Sequence, residues 1–183
     1  MKIGYIRNAR STGGGAPPNP DANLLVRAPS DFEGLEEALR EMRQARVEVL
    51  IIDGGDGTIR EVLSRACDIW AGSTPQFAIV ASGNTNLIAR NTGALPPADP
   101  VSAIRSGNLK RRPVPIMKVE RKGAAPIRGF IMGAGAYETA TRIAQEDIAS
   151  RHGVQVALAI LKLIFSRSLR AGEKFAVTHD DGQ

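Results

Sequence analysis

Val47-Glu48-Val49-Leu50-Ile51-Ile52-Asp53-Gly54-Gly55-Asp56-Gly57-Thr58-Ile59-Arg60-Glu61-Val62 is the stretch that decides the fold of this chain. A largely apolar run over 47–52 breaks into two glycines, an aspartate, a third glycine and a threonine, and an amphipathic run follows. The pattern predicts a strand, a tight phosphate-sized turn and a helix start. Glycines let a backbone approach a ligand closely and expose its N–H groups. Asp56 adds a carboxylate, which phosphates do not attract. A cation between them would, and Mg2+ prefers carboxylate, water and phosphate oxygens. The turn therefore points to a metal–nucleotide site. The alternative is a glycine-rich strand-to-helix connection with Asp56 as a helix cap. Thr58 and Glu61 within the same first turn favour the site.

Working outward, residues 2–7 and 24–27 read as strands, separated by a loop over 8–20 rich in glycine and proline. A helix is expected over 31–46, where Leu35, Leu39 and Met42 recur at helical spacing and Glu and Arg cover the other face. After the strand over 47–52 come a helix over 58–70, a strand over 76–81 and a helix over 84–91 closed by Gly93. Strands alternating with helices predict a parallel sheet with helices on both faces. In such α/β sheets ligands sit beyond the carboxyl ends of the strands. Asn8, Gly54 to Thr58 and Ser82 to Asn86 all fall there.

Leu95-Pro96-Pro97 and Pro100 mark a change of pattern. A short helix over 101–106 is followed by two antiparallel strands, 113–120 and 127–132, joined by a turn over 121–126 with Gly123. Helices over 137–151 and 154–167 and a strand over 174–178 complete the reading. The expected organisation is a nucleotide-binding α/β domain over 1–95, a linker over 96–112 and part of a second, substrate-binding lobe over 113–183. There are no internal repeats.

The 183 residues suffice for one good core, or for one domain and part of another. A net charge of +5 suits anionic ligands or an anionic membrane surface, and is too small and dispersed to argue for nucleic acid. An aromatic content of 4% leaves no stacking platform for single strands. Cys67 is the only cysteine, so an intrachain disulfide is excluded and a reducing cytoplasm is expected. A strand begins almost directly at the N-terminus, with no signal-peptide pattern. The longest apolar segment, 154–165, is too short to span a bilayer. Gly13-Gly14-Gly15 is not followed by Gly-Lys-Ser/Thr, so a P-loop is excluded. Ser82 has no histidine at informative spacing, which argues against a hydrolase triad.

The Gly-Gly-Asp-Gly-Thr-x-x-Glu-Val run, followed some twenty residues on by an apolar strand and Ser82-Gly83-Asn84-Thr85-Asn86-Leu87-Ile88-Ala89-Arg90, resembles the diacylglycerol kinase catalytic domain. The group includes soluble bacterial lipid kinases and sphingosine kinases. The resemblance covers residues 1–94 well and continues more weakly through 98–104 and Phe130-Ile131-Met132-Gly133-Ala134-Gly135. It implies a phosphofructokinase-like α/β domain followed by a β-rich second lobe, and transfer of the γ-phosphate of ATP, with Mg2+, to a lipid hydroxyl at a membrane surface. Carried over by motif, Gly54, Gly55, Asp56, Gly57 and Thr58 match the nucleotide-binding turn and Glu61 the acid on its helix. Asn8, Ser11 and Gly13 fall where the family has Asn-Pro-x-Ser-Gly, with Ala9 in place of proline. Gly83 and Asn86 match the second motif. Asn84 stands where threonine is usual, Ala81 replaces a proline, and Leu87 replaces an acid and cannot bind a cation.

On this reading Gly54 to Thr58 hold phosphates, Asp56 holds Mg2+ directly or through water, and Glu61 orders the turn or a metal-bound water. The family's general base belongs to the second lobe and has no match here. Asp180 and Asp181 lie near the end. A lobe that stops at Gln183 leaves an apolar helix face at Val156, Ile160 and Leu163, so continuation of the chain or a homo-oligomer is expected. The competing readings are an enzyme like NAD kinase, which shares the glycine-aspartate turn, and a nucleotide-binding module without catalysis.

Overall fold

A computed structural model describes residues 1–11, 16–121 and 123–130. The chain divides into two compact units, Met1–Ile131 and Met132–Gln183, and everything described belongs to the first. The expectations for Gly13, for residues 131–135, and for the helices and strand beyond 136 lie outside the described residues.

The elements run β1 (Ile3–Arg7), β2 (Leu24–Arg27), α1 (Phe32–Gln44), β3 (Val49–Gly54), α2 (Asp56–Trp70), β4 (Gln76–Ala81), α3 (Leu87–Thr92), α4 (Pro100–Arg105), β5 (Met117–Arg121) and β6 (Ala124–Gly129). The first four strands form one parallel sheet in the order β2-β1-β3-β4. All six residues of β3 are buried. It has strands on both sides and apolar clusters on both faces, which is why it reads as a continuous apolar run rather than an alternating one. The chain's path reverses between β1 and β3, the point at which open α/β sheets form their ligand crevice.

Alternation along the strands sorts side chains to two faces. Ile6, Leu50, Ile52 and Ile79 join Leu39 and Met42 of α1 and Ile59, Val62 and Leu63 of α2 in one apolar cluster. Ile3, Tyr5, Ile51 and Val80 join Leu24, Leu95 and Val101 in a smaller second one.

Element boundaries shift for local reasons. The Asp31 carboxylate accepts the Gly34 N–H at 2.8 Å and so starts α1 as expected. The helix stops at Gln44, because Arg46 turns left-handed at φ 59° and the Val47 N–H closes back on the Met42 carbonyl. This uses the first residues assigned to the third strand, so β3 begins at Val49. Helix α2 starts two residues early, at Asp56. Helix α3 starts three residues late, because Asn86 is left-handed (φ 49°). The second hairpin strand, β6, starts at Ala124 just past the tight turn at Gly123 (φ 75°), so Pro126 lies within it.

The segment expected as a linker carries α4, capped by Asp99 on the Ser102 N–H at 2.9 Å and anchored by buried Val101. The β5–β6 hairpin packs on α2. Ser64 accepts the Arg128 N–H at 2.8 Å, and Arg128 reaches Asp68 at 2.7 Å. The first unit thus extends past the boundary that the prolines suggest; they mark irregular backbone, while the hairpin's hydrogen bonds to α2 decide the packing.

Candidate functional site

The carboxyl ends of β1, β3 and β4 open into a cleft of about 780 Å3. Three turns meet there. After β1, the Asn8 N–H binds the Asp53 carbonyl at 2.9 Å, and its side-chain amide donates to Thr58 Oγ1 at 2.8 Å. Asn8 Oδ1 accepts the Arg10 N–H at 2.9 Å, and its carbonyl accepts the Ser11 N–H at 2.9 Å. One side chain therefore fastens the first turn to the third strand's turn. After β4, the Asn86 amide closes its own turn, accepting from the Gly83 N–H at 2.9 Å and donating to the Gly83 carbonyl at 2.6 Å.

The last two turns touch backbone to backbone. A Cβ built on Gly83 would lie 2.4 Å from Gly55 Cα, and one on Gly55 would lie 3.1 Å from Gly83 Cα. Gly83 has no room for a side chain, and Gly55 has room only if its neighbour gives way. Gly54 is similarly closed by the Thr58 side chain at 2.6 Å. Only Gly57 faces open space, with nothing within 4 Å. Gly55 and Gly83 thus bring two turns together, Gly54 lets its own turn close on Thr58, and Gly57 keeps the surface clear.

No side chain caps α2, whose N-cap is Gly55, and the first backbone bond of the helix runs from Ile59 N–H to Gly55 carbonyl at 3.1 Å. The preceding amides, at Asp56, Gly57 and Thr58, are the donors that a helix start leaves unpaired. With the helix dipole they favour an anion. Ser82, 1% exposed and among the cleft-lining residues, has a buried hydroxyl with no hydrogen-bond partner among the described residues. A buried polar group of this kind asks for a partner.

Of the residues named from sequence, Asn8, Ser11, Gly55, Gly57, Thr58, Glu61, Gly83 and Asn84 line the cleft. Gly54 and Asn86 stand behind it as the turn's supports. Asp56 is engaged by α3. Its two oxygens accept the N–H groups of Leu87 at 3.0 Å and Ile88 at 2.9 Å, so it caps the start of α3, not its own helix, and does not line the cleft. Glu61 is also occupied, by Arg60 at 2.6 Å and by Arg65. Burial works against its charge, but the Arg60 and Arg65 hydrogen bonds outweigh that and hold its pKa below the usual glutamate range. It remains a carboxylate bound to arginines rather than a brace for the turn. Among the described residues no group of three or more His, Cys, Asp or Glu could hold a metal. Among the described residues Asp56 faces α3, Glu61 is ion-paired and Asp31 caps α1, so each carboxylate in or beside the cleft already has partners.

Sequence reasoning missed Arg10, Pro29, Phe32 and Arg60, which also line the cleft. Arg10 sits between two residues that were named, and that adjacency was the available signal. Phe32 carried none, because the start of α1 reaches the cleft only through the fold.

The model of the diacylglycerol kinase catalytic domain matches residues 21–119, more than half of the chain. The chain belongs to this family. Two solved Bacillus anthracis str. Sterne structures bearing the name diacylglycerol kinase are similar to it. One is 21% identical with a TM-score of 0.46, over 60% of this chain and 43% of its own. The other is 20% identical with a TM-score of 0.44, over 60% and 41%. The chain therefore spans less than half the length of either. No curated protein matches it. Among the described residues no helix is long and apolar enough to cross a membrane.

Proposed function

We propose that this diacylglycerol kinase-family chain holds the triphosphate of ATP for transfer of a phosphoryl group to a lipid hydroxyl, such as that of diacylglycerol, at a membrane surface. The observation that carries this reading is the convergence of three turns on one cleft, with unpaired amides at the start of α2 facing it. Phosphoryl transfer needs positioning and charge neutralisation more than covalent chemistry. The amides of Gly57 and Thr58 bind phosphate oxygens, Asn8 fixes Thr58, and Arg10 and Arg60 supply positive charge at the rim. Glu61, kept ionised, holds Arg60 and Arg65 in place. The described residues do not fit Mg2+ as a protein-bound ion, so no step here passes through it; a nucleotide carries its own.

The test is transfer of labelled γ-phosphate from ATP to diacylglycerol in mixed micelles, beside calorimetric titration with ATP. Binding together with lipid labelling supports the reading in full. Binding with no labelling leaves a nucleotide-holding module. No binding at all rejects the reading.

A further inference from the structure

We propose that a nucleobase stacks on the open side of Phe32, with its edges left unread. This rests on the nucleotide reading above and names the other end of the same cleft. Phe32 is the first residue of α1 and is 60% exposed, a large aromatic surface left in water. A scattered exposed apolar residue would need no account, but this one lines the cleft and is held in position. The Arg65 guanidinium lies over its ring, 4.4 Å from the centroid. Arg65 is itself fixed by Glu61 and, at 3.6 Å, by Glu36. The ring thus has a cation on one face and solvent over much of the rest, which is a platform rather than a core residue.

The cleft has two kinds of wall. Gly57 and Thr58 present amides, while Pro29, Phe32 and Leu35 present hydrocarbon. An anionic group joined to a flat heteroaromatic ring matches both. The polar groups beside Phe32 are already committed. Asp31 Oδ1 accepts the Gly34 N–H at 2.8 Å, and its other oxygen accepts the Ser30 hydroxyl at 3.2 Å. Stacking of this kind tolerates any base, because every base has a π-face.

The experiment is calorimetric titration of the full chain and of Phe32→Ala and Phe32→Trp with the Mg2+ complexes of ATP, GTP and inorganic tripolyphosphate. Phe32→Ala should weaken ATP roughly tenfold, in line with the loss of one aromatic stack, and leave tripolyphosphate unchanged. Phe32→Trp should restore ATP, and ATP and GTP should agree within about tenfold. Equal loss for ATP and tripolyphosphate would show that Phe32 only shapes the phosphate turn and would overturn the proposal. So would no loss for either ligand, or strong discrimination between ATP and GTP. If the unaltered chain binds tripolyphosphate no more weakly than ATP, the stacking idea fails while the phosphate site stands. If it binds neither, the nucleotide reading falls with it.

Discussion

On one face of the parallel sheet, Ile6, Leu50, Ile52 and Ile79 pack into an apolar cluster supplied mainly by α1 and α2. On the other, the apolar cluster around Ile3, Ile51 and Val80 gives way toward the carboxyl edge to a buried pair, Tyr5 and Asp53. The Tyr5 hydroxyl donates to Asp53 Oδ2 at 2.7 Å, and Arg7 lies 4.0 Å from the same oxygen. Asp53 Oδ1 has no hydrogen-bond partner among the described residues. The first face resists change through volume, the second through charge. The charged part lies directly under the turns that form the cleft, since Asp53 precedes Gly54 and its carbonyl holds Asn8.

The largest effect should come from the hydrocarbon face. Ile52 is fully buried between β1, β4 and the two helices. Ile52→Ala should cost about 2–5 kcal/mol, the transfer term plus the cavity that packed neighbours cannot fill. Urea unfolding would measure it, and the loss should be independent of pH. A loss below about 1 kcal/mol would mean that α1 and α2 settle into the space, and that the face is looser than its burial implies.

Tyr5→Phe tests the other face. It removes one hydroxyl and leaves Asp53 beside Arg7, so the cost should be about 1.5–3 kcal/mol, the range for a hydrogen bond to a charged group. The effect should also depend on pH. Burial, and then the hydrogen bond to Asp53, push the Tyr5 phenol well above its ordinary value. A group whose folded pKa is raised contributes stability that is complete below its unfolded pKa, near 10, and is lost as pH rises beyond it. The gap between the parent chain and Tyr5→Phe should therefore be constant at neutral pH and shrink above about pH 10. A gap that stays level to pH 11 would show that the folded chain holds the phenol's proton no more tightly than the unfolded one.

The difference between the faces also explains what the sequence made legible. The strand–turn–helix around Gly54 was readable because a continuous apolar run, glycines and an amphipathic repeat are local signals. So was the sheet, since alternation of strands and helices leaves few topologies. The partners of polar groups were not readable. Asn8 meets Thr58 across fifty residues, and Asp56 meets Leu87 and Ile88 across about thirty. Gly55 and Gly83 suggested close approach to a ligand, while the neighbour that leaves them without room is each other's backbone. Asp53, which follows the run read as a strand over 47–52, gains its role from Tyr5, a neighbour only in the sheet.

The smallest effect belongs to the link between the turns. Asp56→Asn keeps the shape but leaves one oxygen where two accepted N–H groups of α3, and the new NH2 would face a donor. The loss should be about 1 kcal/mol, as for other helix caps. Nucleotide affinity should fall modestly, and by the same factor with and without Mg2+, because the β4 turn shifts rather than a metal being lost. If Asp56 holds the nucleotide's cation as well, the result is different. Affinity with Mg2+ would fall at least tenfold, stability would barely move, and metal-free binding would be untouched. Paired titrations of ATP with Mg2+ and with EDTA, beside a thermal unfolding curve, separate the two. A Mg2+-specific loss would move Asp56 from the frame of the site into its chemistry, and would imply that its remaining lone pairs turn toward the cleft when nucleotide binds.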